Sequence, residues 1–154
     1  MTYLGDEGIL KNHKIAFFCS QKCPAEVILK SFDWAIEQRN KGNCVITGAH
    51  SAVEKDVFHF LLKGKQPLIL VLGRRMCKVS DPILQTAIDK NRLLIIAPLW
   101  ECQARLSKSS SVKRNEFIVQ IADELVVAYA THGGNLDIML RTQIYKGISF
   151  LGMD

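Results

Sequence analysis

Cys44-Val-Ile-Thr-Gly-Ala-His-Ser-Ala-Val-Glu-Lys-Asp-Val-Phe-His-Phe-Leu-Leu-Lys-Gly-Lys-Gln-Pro-Leu-Ile-Leu-Val-Leu72 holds two apolar runs flanking a helical pattern. Cys44–Thr47 and Pro67–Leu72 are continuous rather than alternating, as strands buried on both faces are. Between them Val53, Val57, Phe58, Leu61 and Leu62 recur at helical spacing, and Gly48 and Gly64 bound the pattern. The stretch therefore reads as one strand–helix–strand unit, and the rest of the chain repeats it.

Upstream, Lys14–Cys19 is another apolar run, and Pro24 opens a helix carrying Ile28, Phe32, Ala35 and Ile36 that stops at Gly42. Downstream, Ser80-Asp-Pro82 caps a helix with Ile83, Leu84, Ala87 and Ile88, and Leu93–Ala97 is a strand ended by Pro98. The polar, serine-rich stretch Leu106–Val112 predicts a mobile loop before a helix over Arg114–Ala122. Glu124–Tyr129 is a strand, Gly133-Gly134 leads into a helix through Arg141 to Lys146, and Ile148–Leu151 predicts a short last strand. This succession predicts an α/β fold: a doubly wound, mainly parallel sheet in three layers, with helices on both faces. Residues 1–13 read as a lead segment and residues 14–154 as a single domain.

The chain has 154 residues, enough to bury a core without covalent staples. With 48% hydrophobic and 23% charged residues it is not a disordered chain. No apolar run approaches the ~18 residues of a membrane span. Met1–Lys14 carries Asp6, Glu7 and Lys11 and lacks a secretory pattern. Five cysteines with no CxxC pair predict reduced thiols in a cytoplasmic protein, with no structural zinc. The net charge of +5 is local: no acid lies between Asp56 and Asp81, where Lys63, Lys65, Arg74, Arg75 and Lys78 fall. Lys63 and Lys65 precede a strand, at the opposite end of the sheet from Arg74 and Arg75, and read as ordinary surface.

Ligands of open α/β sheets bind at the carboxyl ends of the strands. That rule selects the loops Ser20–Cys23, Gly48–Ser51, Gly73–Met76, Leu99–Lys113 and Ala130–Asn135. They supply glycines that let backbone N–H groups approach an anion, and the cations Lys22, Arg74, Arg75, Arg105, Lys108, Lys113 and Arg114. A basic crevice suits phosphate, whereas solvated surface charge explains the same residues without a ligand. No G-x-G-x-x-G follows the first strand and no P-loop occurs, which disfavours ordinary dinucleotide binding and P-loop hydrolysis. His50 and Glu54 stand one helical turn apart, but His59 does not continue that face, so His50 reads as a loop donor rather than a metal ligand. His59 reads as partly buried and His132 as a turn residue. Ser20, Ser51 and Cys19 have no base fixed near them by spacing. Cys19 and Cys44 read as small core residues, Trp34 as packed on its helix, and Trp100 as core-edge cover.

Taken together, the loops resemble the Rossmann-like domain of DNA-processing protein A (DprA, or Smf), especially its short single-domain relatives. The resemblance spans about Lys14 to Leu151. Cys19-Ser-Gln-Lys-Cys-Pro24 stands at the family's G-S-R-type loop, and Val45-Ile-Thr-Gly-Ala-His-Ser-Ala-Val-Glu54 at V-S-G-G-A-x-G-I-D. Arg114-Asn-Glu-Phe-Ile118 with Leu125-Val-Val-Ala-Tyr-Ala-Thr-His-Gly-Gly134 stands at R-N-R-I-I and V-V-E-A-x-x-x-S-G-S. The departures are Lys22 for arginine, Glu54 for aspartate, Glu116 for the second arginine of R-N-R, and Gly133-Gly134-Asn135 for S-G-S. The family's helical N-terminal domain and winged helix do not fit in this length.

The resemblance implies a non-enzymatic domain that binds single-stranded DNA and loads a recombinase in DNA-mediated transformation. It implies a crevice lined by Lys22, Gly48, Arg74, Arg75, Lys113, Arg114 and Gly134. With the loop residues the full expected set is Ser20, Lys22, Gly48, His50, Ser51, Arg74, Arg75, Lys113, Arg114, Asn115, Gly133, Gly134 and Asn135. No cofactor, no metal and no membrane are expected, and a homodimer is allowed. Lonely-guy phosphoribohydrolases, of the same wider superfamily, carry P-G-G-x-G-T-x-x-E. Here His132-Gly-Gly-Asn-Leu-Asp-Ile-Met-Leu140 lacks the threonine and puts Leu140 at the glutamate, so the acid–base carrier is missing. A nucleotide sensor using the same crevice without catalysis is the third reading.

Overall fold

The computed structural model describes residues 1–98, 108–142 and 147–152. The strands are β1 (Thr2–Gly5), β2 (Lys14–Cys19), β3 (Cys44–Thr47), β4 (Leu68–Val71), β5 (Leu93–Ala97), β6 (Glu124–Tyr129) and β7 (Ile148–Phe150). The helices are α1 (Ala25–Lys41), α2 (Ala52–Leu62), α3 (Pro82–Asp89), α4 (Lys108–Ile121) and α5 (Asn135–Thr142). A 3-10 helix spans Glu7–Lys11.

The strands form one sheet in the order β1-β5-β4-β3-β2-β6-β7, parallel except for β1. From β2 the chain winds through β3, β4 and β5 in one direction. It then returns past its starting point to add β6 and β7 on the other side of β2. The order reverses between β2 and β6, the place where a doubly wound sheet opens a crevice.

Side-chain alternation divides the strands between two cores. Ile15, Phe17, Val45, Leu68, Leu70, Leu93, Ile95 and Val126 face α1, α2 and α3. Ala16, Phe18, Ile46, Ile69, Val71, Leu94, Ile96, Leu125 and Val127 face the other way, where α4 and α5 contribute Ile118, Val119, Leu136, Met139 and Leu140. This is the expected doubly wound, three-layer α/β sandwich. Trp34 of α1 stacks on Phe17, ring centroids 5.0 Å apart. Cys19 and Cys44 are buried, as expected of small core residues.

Helix ends follow local chemistry. Gly42 ends α1 at φ 76°, and its N–H returns to the carbonyls of Arg39 and Gln38. Asp81 caps α3 by accepting from the Ile83 N–H, with Pro82 in the first turn. Ser51 and Glu54 form a reciprocal capping box at the start of α2.

Three local expectations change. Thr2–Gly5 is not merely a lead: it is an antiparallel edge strand, Tyr3 opposite Ile96 and Gly5 opposite Leu94. Gly5 has φ 114°, and a Cβ there would run into the Leu93 carbonyl, so the pairing requires glycine. The adjoining turn is pinned by buried Lys14, whose Nζ donates to the carbonyls of Leu10 and Asn12 and pairs with Asp123 at 3.3 Å. Second, Lys108–Val112 open α4 instead of belonging to a loop, because the serine-rich segment already has helical geometry. Third, His59 is exposed on α2 rather than partly buried. The expectations for Leu106 and Ser107, for Trp100, Cys102 and Arg105, and for the carboxyl end of the last helix at Lys146 lie outside the described residues. No helix among the described residues is long and apolar enough to cross a membrane.

Candidate functional site: a basic crevice at the switch point

A crevice of about 720 Å³ opens at the carboxyl ends of the central strands. Four segments converge on it: Cys19–Lys22 after β2, His50–Glu54 after β3, the first two turns of α4, and Thr131–Leu136 after β6. Its described lining carries three permanent cations, Lys22, Lys108 and Arg114, against one carboxylate, Glu54.

Glu54 ties the loops together. The side chain is buried, and its Oε2 accepts from the Cys19 N–H at 2.9 Å. Its Oε1 accepts from the His50 N–H at 2.9 Å and the Ser51 N–H at 3.2 Å. One carboxylate thus fixes the end of β2 to the turn after β3. Burial pushes its pKa up, while these N–H groups and the Arg114 charge oppose that rise. A bulge assists: the register between β2 and β6 shifts after Phe18, so that Cys19 pairs with Tyr129. Beyond it the Ser20 N–H donates to the Tyr129 carbonyl at 2.8 Å, and the Ser20 hydroxyl accepts from the Thr131 N–H at 2.9 Å.

Arg114 is the buried cation, only 2% exposed on α4. Its Nε and Nη2 both donate to Asn115 Oδ1 at 3.1 Å, which fixes the plane of the guanidinium. Burial lowers its pKa, and the Glu54 carboxylate raises it in return. Gly48 makes room for it: a Cβ there would stand 2.5 Å from Arg114 Nε and 2.8 Å from Cδ. The pKa of His50 is lowered by burial first, then by the charges of Arg114 and Lys55.

Of the residues expected from the sequence, Ser20, Lys22, His50, Ser51, Arg114, Asn115, Gly134 and Asn135 line the crevice together. Gly48 lies directly behind Arg114. Gly133, in a turn at φ 77°, donates its N–H to Asp137 at 2.9 Å and does not line the crevice. Lys113 is exposed and also lies outside the lining. Arg74 and Arg75 follow β4 and do not line it; Arg74 donates to Cys77 Sγ at 2.7 Å. Glu116, the charge reversal within the R-N-R segment, is likewise not part of the lining. Lys108 and Ser111 join the site because α4 starts early. The part Glu54 plays was not anticipated, although the Ser51-Ala-Val-Glu54 spacing is that of a capping box. Among the described residues, no three His, Cys, Asp or Glu side chains are grouped to hold a metal ion.

No family model matches the sequence, and no curated protein matches it in sequence. Solved structures do match in shape. A single-stranded-DNA-binding DNA processing protein A from Helicobacter pylori superimposes with TM-score 0.75 at 16% identity, over 99% of this chain and 71% of that one. The DprA of Streptococcus pneumoniae gives TM-score 0.69 at 18% identity, over 86% of this chain and 47% of that one. This chain thus spans about half the length of the pneumococcal protein. The molybdenum cofactor carrier protein of Chlamydomonas reinhardtii gives TM-score 0.61 at 14% identity, over 94% of this chain and 78% of that one. The chain therefore has the Rossmann-like, doubly wound fold that DprA and the molybdenum cofactor carrier share.

Proposed function

We propose that the crevice binds single-stranded DNA through its phosphates and performs no chemistry on it. The observation that carries this reading is the convergence of Arg114, Lys22 and Lys108 at the switch point, beside the amino ends of α2 and α5. A pinned guanidinium at the floor and exposed lysines at the rim suit a string of phosphates. The likeness in shape to the single-stranded-DNA-binding protein of H. pylori supports the same ligand class.

The one carboxylate among the described lining residues is spent on structure. Glu54 accepts three backbone N–H groups, so both of its oxygens are already engaged in holding the loops. Ser20, Lys22, His50, Ser51, Arg114, Asn115, Gly134 and Asn135 form the contact set, backed by Gly48 and the Gly133 turn. Arg74, Arg75 and Lys113 would extend the path of a longer strand along the carboxyl edge of the sheet. A recombinase that takes over the strand, and pairing with a second copy, are partners that the family resemblance adds.

Fluorescence anisotropy with a labelled oligothymidine tests the reading. Binding should weaken steeply with salt, because neutralised phosphates release counterions. No binding at low salt would refute it. The volume of about 720 Å³ also fits a free nucleotide, which favours the sensor as the second reading. A tight nucleotide would raise the melting midpoint in a thermal-shift panel. Release of free base from a nucleotide monophosphate would instead establish the phosphoribohydrolase.

A further inference from the structure

A second cleft, of about 660 Å³, lies between the turn that follows α2 and helix α3, and opens at the amino ends of β4 and β5. It shares no lining residue with the crevice. We propose that this cleft docks an acidic peptide segment bearing apolar side chains, supplied by a partner protein.

Its charge is of one sign. Lys63, Lys65, Lys90 and Arg92 line it, and no described lining residue is acidic. Lys63 and Lys65 come from the acid-free stretch between Asp56 and Asp81, and the fold adds Lys90 and Arg92 from the next turn. Arg92 is committed to the framework: Nε donates to the Gln66 carbonyl at 3.1 Å, Nη1 to Leu62 at 2.9 Å and Nη2 to Leu61 at 3.0 Å. It locks the end of α2 to the strand that follows and so makes one wall rigid. The three lysines are exposed; the Lys63 ammonium stands 5.5 Å from the centroid of the Phe60 ring.

Its floor is aliphatic. Leu62, Pro82, Ile83 and Ala87 supply the apolar surface, and Ile83 is 61% exposed, one of the few large apolar side chains left in water. This composition separates two anionic occupants. Phosphates of a nucleic acid would meet the lysines but leave the aliphatic floor and exposed Ile83 without an apolar partner. An acidic peptide satisfies both parts, carboxylates on the lysine rim and an apolar side chain on Ile83. Flexible, hydrated lysines suit carboxylates of varied geometry better than a single bidentate partner.

The test uses the whole chain and a fluorescent short peptide that alternates Asp and Glu with Leu and Phe. We expect salt-sensitive binding that K63E/K90E and I83D each weaken by about tenfold or more. Excess oligothymidine should leave it unchanged. A peptide with serine at the apolar positions should bind more weakly by a similar factor. Lys63, Ile83 and Lys90 are exposed, so an unchanged melting midpoint separates lost docking from lost folding. Absence of peptide binding at low salt, equal binding of the serine peptide, or displacement by oligothymidine would each overturn the proposal. Failure of DNA binding in the crevice would leave these outcomes unaffected.

Discussion

The two clefts of this molecule are both basic, yet they are built in opposite ways. At the carboxyl end of the sheet the framework cation is held from within, beside two exposed lysines. Arg114 is buried, clamped by Asn115, packed on Gly48 and balanced by Glu54, which itself holds three backbone N–H groups. At the amino end the framework cation Arg92 is engaged with carbonyls, and the free charge is carried by surface lysines over an aliphatic floor. Equal sign does not mean equal recognition. The first cleft has its arginine set in place without a ligand, whereas in the second the charges that face the solvent are on lysine side chains, which a ligand would have to order.

The largest test of that contrast is Glu54→Gln. The amide cannot accept all the N–H groups that converge on the carboxylate, so a buried donor is left without a partner. We expect a loss of about 3 kcal/mol in urea denaturation, the upper end for such a donor. Lys63→Glu/Lys90→Glu should stay within about 0.5 kcal/mol of the parent, as exposed substitutions do. Equal effects at both ends would break the comparison. Next is Gly48→Ala, whose methyl group must displace the Arg114 side chain. It should cost about 1–3 kcal/mol by overpacking and weaken oligothymidine binding in parallel.

A smaller effect comes from pH. His50 has its pKa lowered from 6.5 in the folded protein, mainly by burial. The folded state is therefore penalised as pH falls below that value and through the lowered pKa, while stability is fully retained above it. Protonation adds a cation to the crevice, so oligothymidine binding should strengthen over the same window as stability declines. His50→Gln should flatten both trends, and titrations of the parent and the variant would show it. Peptide docking at the other cleft should not follow this histidine. The smallest effect is on thiol chemistry. Burial pushes Cys44 up to about 12 and raises Cys19 as well, whereas Cys77 is exposed. Mass-spectrometric mapping after alkylation at neutral pH should find Cys77 labelled long before Cys19 or Cys44.

Much of this fold is legible in the sequence. Lys14–Cys19, Cys44–Thr47, Leu93–Ala97 and Glu124–Tyr129 are continuous apolar runs, and each is a strand over those same residues. Thr2–Gly5 escaped because an edge strand with a single aliphatic residue, Leu4, leaves no such run; its pairing depends on Gly5 and on a neighbour far along the chain. The site was half legible. Every strand end offers a loop, so Arg74 and Arg75 qualified as readily as Lys22 and Arg114. Only strand order decides which loops meet, and local periodicity does not encode that order. Ser51 and Glu54 have capping-box spacing, but the bond of Glu54 to Cys19 spans 35 positions of sequence.

Under the proposed function, Arg114, held at the switch point, makes the crevice a binding site for the phosphates of single-stranded DNA. Anisotropy of a labelled oligothymidine at low salt, with the parent and with Arg114→Gln, tests it most directly. We expect salt-sensitive binding by the parent and a loss of about tenfold or more in the variant, as removal of a charge-assisted contact should give. Binding of equal strength by both proteins, or by neither, would contradict it.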